Sequence, residues 1–428
     1  RFIPNRSTTD IDLGYYNVMS KENVEEEEES EEQGASQSYK EHLDMALSKG
    51  QNPNNAKILS YQDKAPVAKD GFNNKMKVLY TGSKSAAPKG VSTRQIPQQP
   101  ERILDAPDLL DDYYLNLLHW SAENLLAVAL GGAVYIWNAA SGTIAQLLEF
   151  QDDDTYISSL AWLNDQSSNI LAVGNSTGTV QLWDVQNEKL LRNMGGHAAR
   201  IGSLSWNSHI CSSGSRSGAV HHHDVRVANH HVGSLLNHSQ EVCGLAWSPD
   251  GRHLASGGND NVLNIWDASL SLENVQPVHT FTEHQAAVKA LSWCPWSTQV
   301  LASGGGTADR HIRLWNVTTG LCLSSTDTNS QVSSILWSDE FKEMISGHGY
   351  THNQLTIWKY PQMTKVAELR GHTSRVLCLT MSPDGSTVAS AAADETIRIW
   401  KCFKSSKKPQ ATTKPKETRT TIRGGSIR

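Results

Sequence analysis

No apolar run in this 428-residue chain approaches the roughly 20 residues that a membrane-spanning helix needs. No secretory signal is visible, although the chain opens on Arg1, so an upstream piece is expected. The six cysteines, Cys211, Cys243, Cys294, Cys322, Cys378 and Cys402, include no C-x-x-C pair. That spacing argues against a disulfide framework or a cysteine zinc site. It reads as small, mostly buried thiols in a reducing compartment, the cytoplasm or nucleus. A formal net charge of −6 gives no global electrostatic case for nucleic acid. Also missing are a glycine-rich phosphate loop joined to a lysine and paired carboxylates in an obvious cleft. The length suits one large soluble domain with flanks.

What is present is one unit written seven times. Thr387 to Trp400, TVASAAADETIRIW, is a short apolar strand, a turn carrying Asp, and a second strand closing on Trp. It recurs as HLASGGNDNVLNIW at 253–266 and, two residues longer, as VLASGGGTADRHIRLW at 300–315. Looser copies close on Trp137, Trp183, His223 and Trp358, so the closing positions lie 40 to 49 residues apart. Each copy opens with a strand whose last apolar residue is Trp120, Trp162, Trp206, Trp247, Trp293, Trp337 or Met381. Twelve of the thirteen tryptophans fill these two slots, and only Trp296 stands outside them. A period of roughly 40–45 residues ending in WD-like dipeptides predicts an all-β, seven-bladed WD-repeat propeller over 101–402.

Residues 1–100 are poor in aromatics, rich in Ser, Asn, Gln, Lys and Glu, and carry the acidic run Glu25 to Glu29. Such a segment buries too little apolar area to offset its ordering entropy and is expected to be disordered in isolation. Its apolar islands, RFIP at 1–4, LDMAL at 43–47, KILSY at 57–61 and KMKVLY at 75–80, are candidate binding motifs. The tail 403–428 is Lys- and Thr-rich and ends in Ile427-Arg428. ERILDA at 101–106 has no repeat of its own. A ring of blades must close, so Arg102–Leu104 is expected as the outer strand of the blade containing 376–400, covering an edge otherwise left unpaired.

Three apparent catalytic constellations have better structural readings. His238, Ser256, Asp260 and Trp266 lie at intervals of 18, 4 and 6; His372, Ser390, Asp394 and Trp400 repeat them, and His284, Ser303, Asp309 and Trp315 stretch them. A catalytic triad occurs once, so a set recurring by blade reads as a buried chain from indole to Ser, His and Asp. Gly174 to Gly178 matches G-x-S-x-G, but the following TVQLW is a strand, which makes it a hairpin turn rather than a nucleophile elbow. His221-His222-His223 suggests a metal, yet neighbours on a strand point to opposite faces, so all three cannot meet one ion. One of them could ligate with outside help. No catalytic site and no cofactor is expected. The candidate functional pair is acidic. If the ring closes as argued, Asp105 and Glu395 face each other on the propeller's side, beside Ile103 and Leu104. They would suit a peptide with a guanidinium and an aliphatic side chain a few residues apart.

Together these pieces resemble the Fizzy family, substrate-recognising co-activators of the anaphase-promoting complex, a multisubunit ubiquitin ligase. RFIPNR resembles the family's C-box without its leading Asp, Ile427-Arg428 its Ile-Arg tail, and the blade sequences match throughout. KEN at 21–23, KILSY followed by KVLY, and SGSRSGAVHHHDVR at 213–226 resemble the mitotic branch. The Fizzy-related branch of late mitosis and interphase is the rival reading, and a generic propeller scaffold is a third. The resemblance implies that Arg1, Phe2, Ile3, Pro4 and Arg6 dock on the ligase core and that Ile427 and Arg428 dock on a tetratricopeptide-repeat subunit. Lys57, Ile58 and Leu59 would form a spindle-checkpoint interaction motif, with Ser60 where the family often has Arg. Asp105 and Glu395 match its destruction-box pocket, with Leu104 near the degron Leu. Asp112, Tyr113, Asn259, Thr307, Gln331 and Arg375 match positions that read KEN peptides. The chain's own Lys21, Glu22 and Asn23 could make it a substrate or checkpoint ligand. Implied partners are the ligase core, checkpoint proteins and degron-bearing cyclins and securin, with no nucleic acid or membrane. Kinetochore, centrosome or spindle association accompanies the cytoplasmic and nuclear expectation.

Overall fold

The computed structural model describes residues 96–152, 154–163, 169–268, 275–350 and 352–403. Among them are twenty-eight strands and no helix, arranged as seven four-stranded antiparallel sheets. Six sheets are built from consecutive strands and span 118–149, 157–194, 201–236, 242–281, 288–327 and 331–369 (blades 1 to 6). Blade 7 takes Val376–Met381, Val388–Ala392 and Thr396–Trp400 from the end of the chain and Arg102–Asp105 from its beginning. That strand is antiparallel to the last one, with Arg102 opposite Ile399 and Leu104 opposite Ile397. The predicted closure is therefore present, one residue longer than expected. The folded unit also exceeds its sequence boundaries slightly: Ile96 packs against a cluster shared by blades 6 and 7, and Phe403, assigned to the tail, is buried beside Phe341.

Strand sequence dictates position in each blade. First strands such as ISSLAW at Ile157–Trp162 are buried along their length, and those of neighbouring blades touch, so they line the central axis. Fourth strands alternate, as in LCLSSTD at Leu321–Asp327, and form the wet outer rim. Second strands are rich in Ala, Ser and Gly because adjacent blades stack closely on them. A Cβ at Gly257 would run into the Val288 carbonyl oxygen of the next blade. In blades 2 to 7 the first strand bulges near its start, which raises the local twist.

The two tryptophan slots do different work. In the first slot of blades 2 to 6 the indole N–H reaches back to the preceding blade. Trp162 donates to His119 O (3.1 Å), Trp206 to Ala161 O (3.1 Å), Trp293 to Ala246 O (2.9 Å) and Trp337 to Ser292 O (3.1 Å). Trp247 donates instead to Ser212 Oγ of blade 3 at 3.0 Å. In the second slot the indole stays inside its blade: Trp266, Trp315, Trp358 and Trp400 donate to Ser256, Ser303, Ser346 and Ser390 at 2.7–2.9 Å.

Candidate functional site

The repeated Ser, His and Asp sets form the chains read from the sequence. In blade 5 the Ser303 hydroxyl lies 2.7 Å from His284 Nε2, whose Nδ1 lies 2.7 Å from Asp309. Blades 4 and 7 repeat this with His238 and Asp260, and with His372 and Asp394. Burial keeps the His284 and His372 rings neutral, so Nδ1–H donates to carboxylate and Nε2 accepts from serine. Burial would raise the Asp309 carboxyl, but the bonds from His284 and Arg313 hold it far below the usual range. Ser256, Ser303 and Ser390 are fully buried under the indoles they bond, so their hydroxyls face no open site. Ser176, in the G-x-S-x-G stretch, accepts from the Tyr156 amide at 3.2 Å. The stretch forms the hairpin between Ile170–Asn175 and Val180–Asp184, and Gly178 supplies the required positive φ of 87°.

The acidic pair does come together. Asp105 and Glu395, both exposed, line one groove of about 930 Å³ between blades 7 and 1. Leu104, Leu109, Leu110, Val128, Leu130, Tyr135, Trp137, Ile144, Phe150 and Ile397 supply its apolar wall. Four further carboxylates line it, from Asp108, Asp111, Glu149 and Asp152, and among the described residues no Lys, Arg or His does. Arg375 pairs with Asp111 at 2.5 Å, and the other five carboxylates make a negative trough over an apolar floor. The sequence reading missed those four. The run EFQDDD at 149–154 was the available signal, but its place beside Asp105 depends on ring closure. Glu395 sits at a φ of +56°, in the left-handed region, at the turn after Val388–Ala392.

The six residues matched to KEN reading share one end of the sheets. Asp112 and Tyr113 precede the first strand of blade 1 and Arg375 that of blade 7; Gln331 starts that of blade 6; Asn259 and Thr307 lie in the turns after the second strands of blades 4 and 5. Most are already engaged. Asp112 accepts from Arg200 at 2.8 Å, and Arg200 also makes a two-bond contact with Glu241. Tyr113 is buried and its hydroxyl donates to Val332 O at 3.0 Å, so it packs the rim from beneath. Burial, the largest cause, pushes its phenol well above the ordinary value. Asn259 accepts from Tyr114 at 3.0 Å. Arg375 donates to Asp111 at 2.5 Å and to the hydroxyl of exposed Tyr350 at 2.6 Å. Gln331 keeps a buried Oε1 without a partner, and Thr307 is exposed. Arg200, Glu241, Tyr114 and Tyr350 carried no sequence signal, because their roles depend on which blade tips meet.

Comparison with known proteins places the whole ring. The family model described as "CDC20/Fizzy WD40 domain" matches residues 104–400. The chain belongs to this family. It is 55% identical over 370 residues to the "Anaphase-promoting complex subunit cdc20" of Dictyostelium discoideum, covering 85% of this chain and 73% of that one. It is 47% identical over 379 residues to "WD repeat-containing protein slp1" of Schizosaccharomyces pombe, covering 86% and 74%. "Protein FIZZY-RELATED 1" of Arabidopsis thaliana is 50% identical over 316 residues, covering 74% and 65%. A solved chain in "Crystal Structure of Mitotic Checkpoint Complex" superposes with a TM-score of 0.69 at 51% identity, covering 72% of this chain and 97% of that one. Cys211, Cys243, Cys294, Cys378 and Cys402 are buried and Cys322 is half-buried, in line with the small, mostly buried thiols read from the sequence. Arg1, Phe2, Ile3, Pro4, Arg6, Lys21, Glu22, Asn23, Lys57, Ile58, Leu59, Ile427 and Arg428 lie outside the described residues.

Proposed function

We propose that the chain is a non-catalytic adaptor that activates the anaphase-promoting complex in mitosis and brings it destruction-box and KEN-bearing substrates. Relatives named as a subunit or cofactor of that complex support the ligase assignment. The mitotic checkpoint complex structure supports checkpoint proteins as further partners. One observation carries the substrate reading: the six-carboxylate groove over an apolar floor. A guanidinium entering it meets fixed anions in charge-assisted pairs, and an aliphatic side chain a few residues along meets Leu104 and its apolar neighbours. The rim around Asp112, Asn259, Thr307, Gln331 and Arg375 is the proposed KEN surface, with Tyr113 as support. The terminal motifs are proposed as the ligase and checkpoint tethers, with action in the cytoplasm and nucleus.

The test is ubiquitination of a destruction-box substrate by ligase lacking any co-activator. The full chain is compared with Asp105→Ala/Glu395→Ala and with a chain lacking residues 1–6. Activity with the intact chain and loss in both variants is the expected result. Inactivity of the intact chain overturns the ligase assignment. Full activity of the double variant overturns the groove.

A further inference from the structure

Blade 3 breaks the repeated hydrogen-bond pattern. The closing tryptophan is replaced by His223, and the turn aspartate that pairs the loop histidine in blades 4, 5 and 7 is replaced by Ser217. His197 keeps its serine, with Nε2 2.7 Å from Ser213 Oγ, and His223 shares that hydroxyl at 3.0 Å. With no aspartate opposite, His197 Nδ1 is buried without a partner. His221 Nδ1, on the adjacent ring, is also buried without a partner. Strand alternation separates only His222 from the histidine run: it turns to Ser212 and Trp247, while His221 and His223 share a face. One ring nitrogen of each of His197, His221 and His223 lies within 4.8 Å of the other two.

We propose that this edge of blade 3 binds a late first-row divalent cation, zinc foremost, through His197, His221 and His223. Imidazole nitrogen suits zinc, and three histidines with an open fourth position are an established donor set for it. The exposed His231, edge-on to His221 at 4.6 Å, is a further donor beside that position. Zn–N bonds of about 2.0–2.1 Å bring tetrahedral ligands to roughly 3.3 Å apart. The rings of His197 and His221, now parallel and 3.8 Å apart, must therefore turn on binding so that each aims a lone pair at the ion. His223 Nδ1 sits 3.0 Å from His230 Nδ1, which helps fix the orientation of that ring.

The experiment titrates zinc chloride into the full chain, freed of metal, against a chromophoric chelator, and repeats the titration with cobalt(II), whose visible bands report tetrahedral geometry. His221→Asn removes a ring with an unpartnered nitrogen. His209→Asn is the control, a histidine of the same blade outside the cluster. The expected result is one site weakened about tenfold or more by His221→Asn and unchanged by His209→Asn. Zinc should raise the unfolding temperature of the parent and the control but not of His221→Asn, while all three unfold alike in chelator. Equal zinc affinity of parent and His221→Asn, or a purely octahedral cobalt spectrum, overturns the proposal.

Discussion

The backbone amide of Ala106 donates a 2.8 Å hydrogen bond to the carbonyl oxygen of Glu395, joining the two ends of the ring one residue from Asp105. The clasp that closes the propeller and the acidic pair are thus a single piece of backbone.

Glu395 holds a positive φ that few residues besides Gly, Asn and Asp adopt readily. Glu395→Asn removes the carboxylate while easing the backbone. We expect an unchanged or raised unfolding temperature together with affinity for an Arg- and Leu-bearing peptide reduced about 10- to 100-fold, the loss of one charge-assisted bond. Fluorescence polarisation with a labelled peptide measures this, and unchanged affinity would remove Glu395 from the site.

Ser256 accepts from the Trp266 indole and bonds His238, at 2.8 Å each. Ser256→Ala strands the buried Trp266 indole N–H and leaves His238 Nε2 with Asn264 Nδ2 alone, at 3.2 Å. Denaturant unfolding should show a loss of about 1–3 kcal/mol. Ser176→Ala, at a half-buried hairpin position that loses one 3.2 Å bond from the Tyr156 amide, should cost no more than about 1 kcal/mol. Equal effects would mean that the repeated chain contributes nothing to stability.

Burial holds two interior histidines, His222 and His348, at about 4 in the fold, against an ordinary value near 6.5. The unfolded chain therefore binds more protons between those values. Stability is complete above about pH 6.5, falls as pH drops, and loses nothing further from these groups below about pH 4. Each contributes a slope of about 1.4 kcal/mol per pH unit in the steep part of that window. Denaturant unfolding across pH 4–7 checks the sign, and a flat profile would contradict it.

Blade 7 lacks the indole stitch on both sides. Met381 occupies its first tryptophan slot and has no N–H to offer blade 6, while the Trp120 indole of blade 1 donates to Asn124 in its own blade at 3.0 Å. What crosses to blade 1 instead is the Trp120 amide bond to Thr380 Oγ1, at 3.1 Å. Native-state hydrogen exchange should be faster in Val376–Met381 than in Val242–Trp247, and Trp293→Phe should cost about 1–2 kcal/mol. Uniform protection around the ring would show that packing alone sets seam strength.

The blades were legible because two tryptophan slots recur with little change, and the closing strand because ERILDA had no repeat to belong to. The groove was half legible. Asp105 and Glu395 follow from closure, but Glu149 and Asp152 lie on the fourth strand and following loop of blade 1, and nothing local in the chain points them towards blade 7. The histidine cluster stayed hidden for a different reason. Alternation was applied to three neighbours, whereas the pair two residues apart and a loop residue 24 positions earlier are what meet. Tyr113 shows the opposite limit: its match to the family fixes its location, and only packing reveals that its hydroxyl is taken.

Because the groove draws on residues 104–155 and again on 395–397, its last wall is made some 240 residues after the rest. At ribosomal rates of about 5–20 residues per second, that is a delay of roughly 10 to 50 seconds. Until then the nascent chain carries acidic side chains but no trough. A protein truncated anywhere before Glu395 is in the same condition: it has the acidic side chains of blade 1 without the wall that makes them a trough.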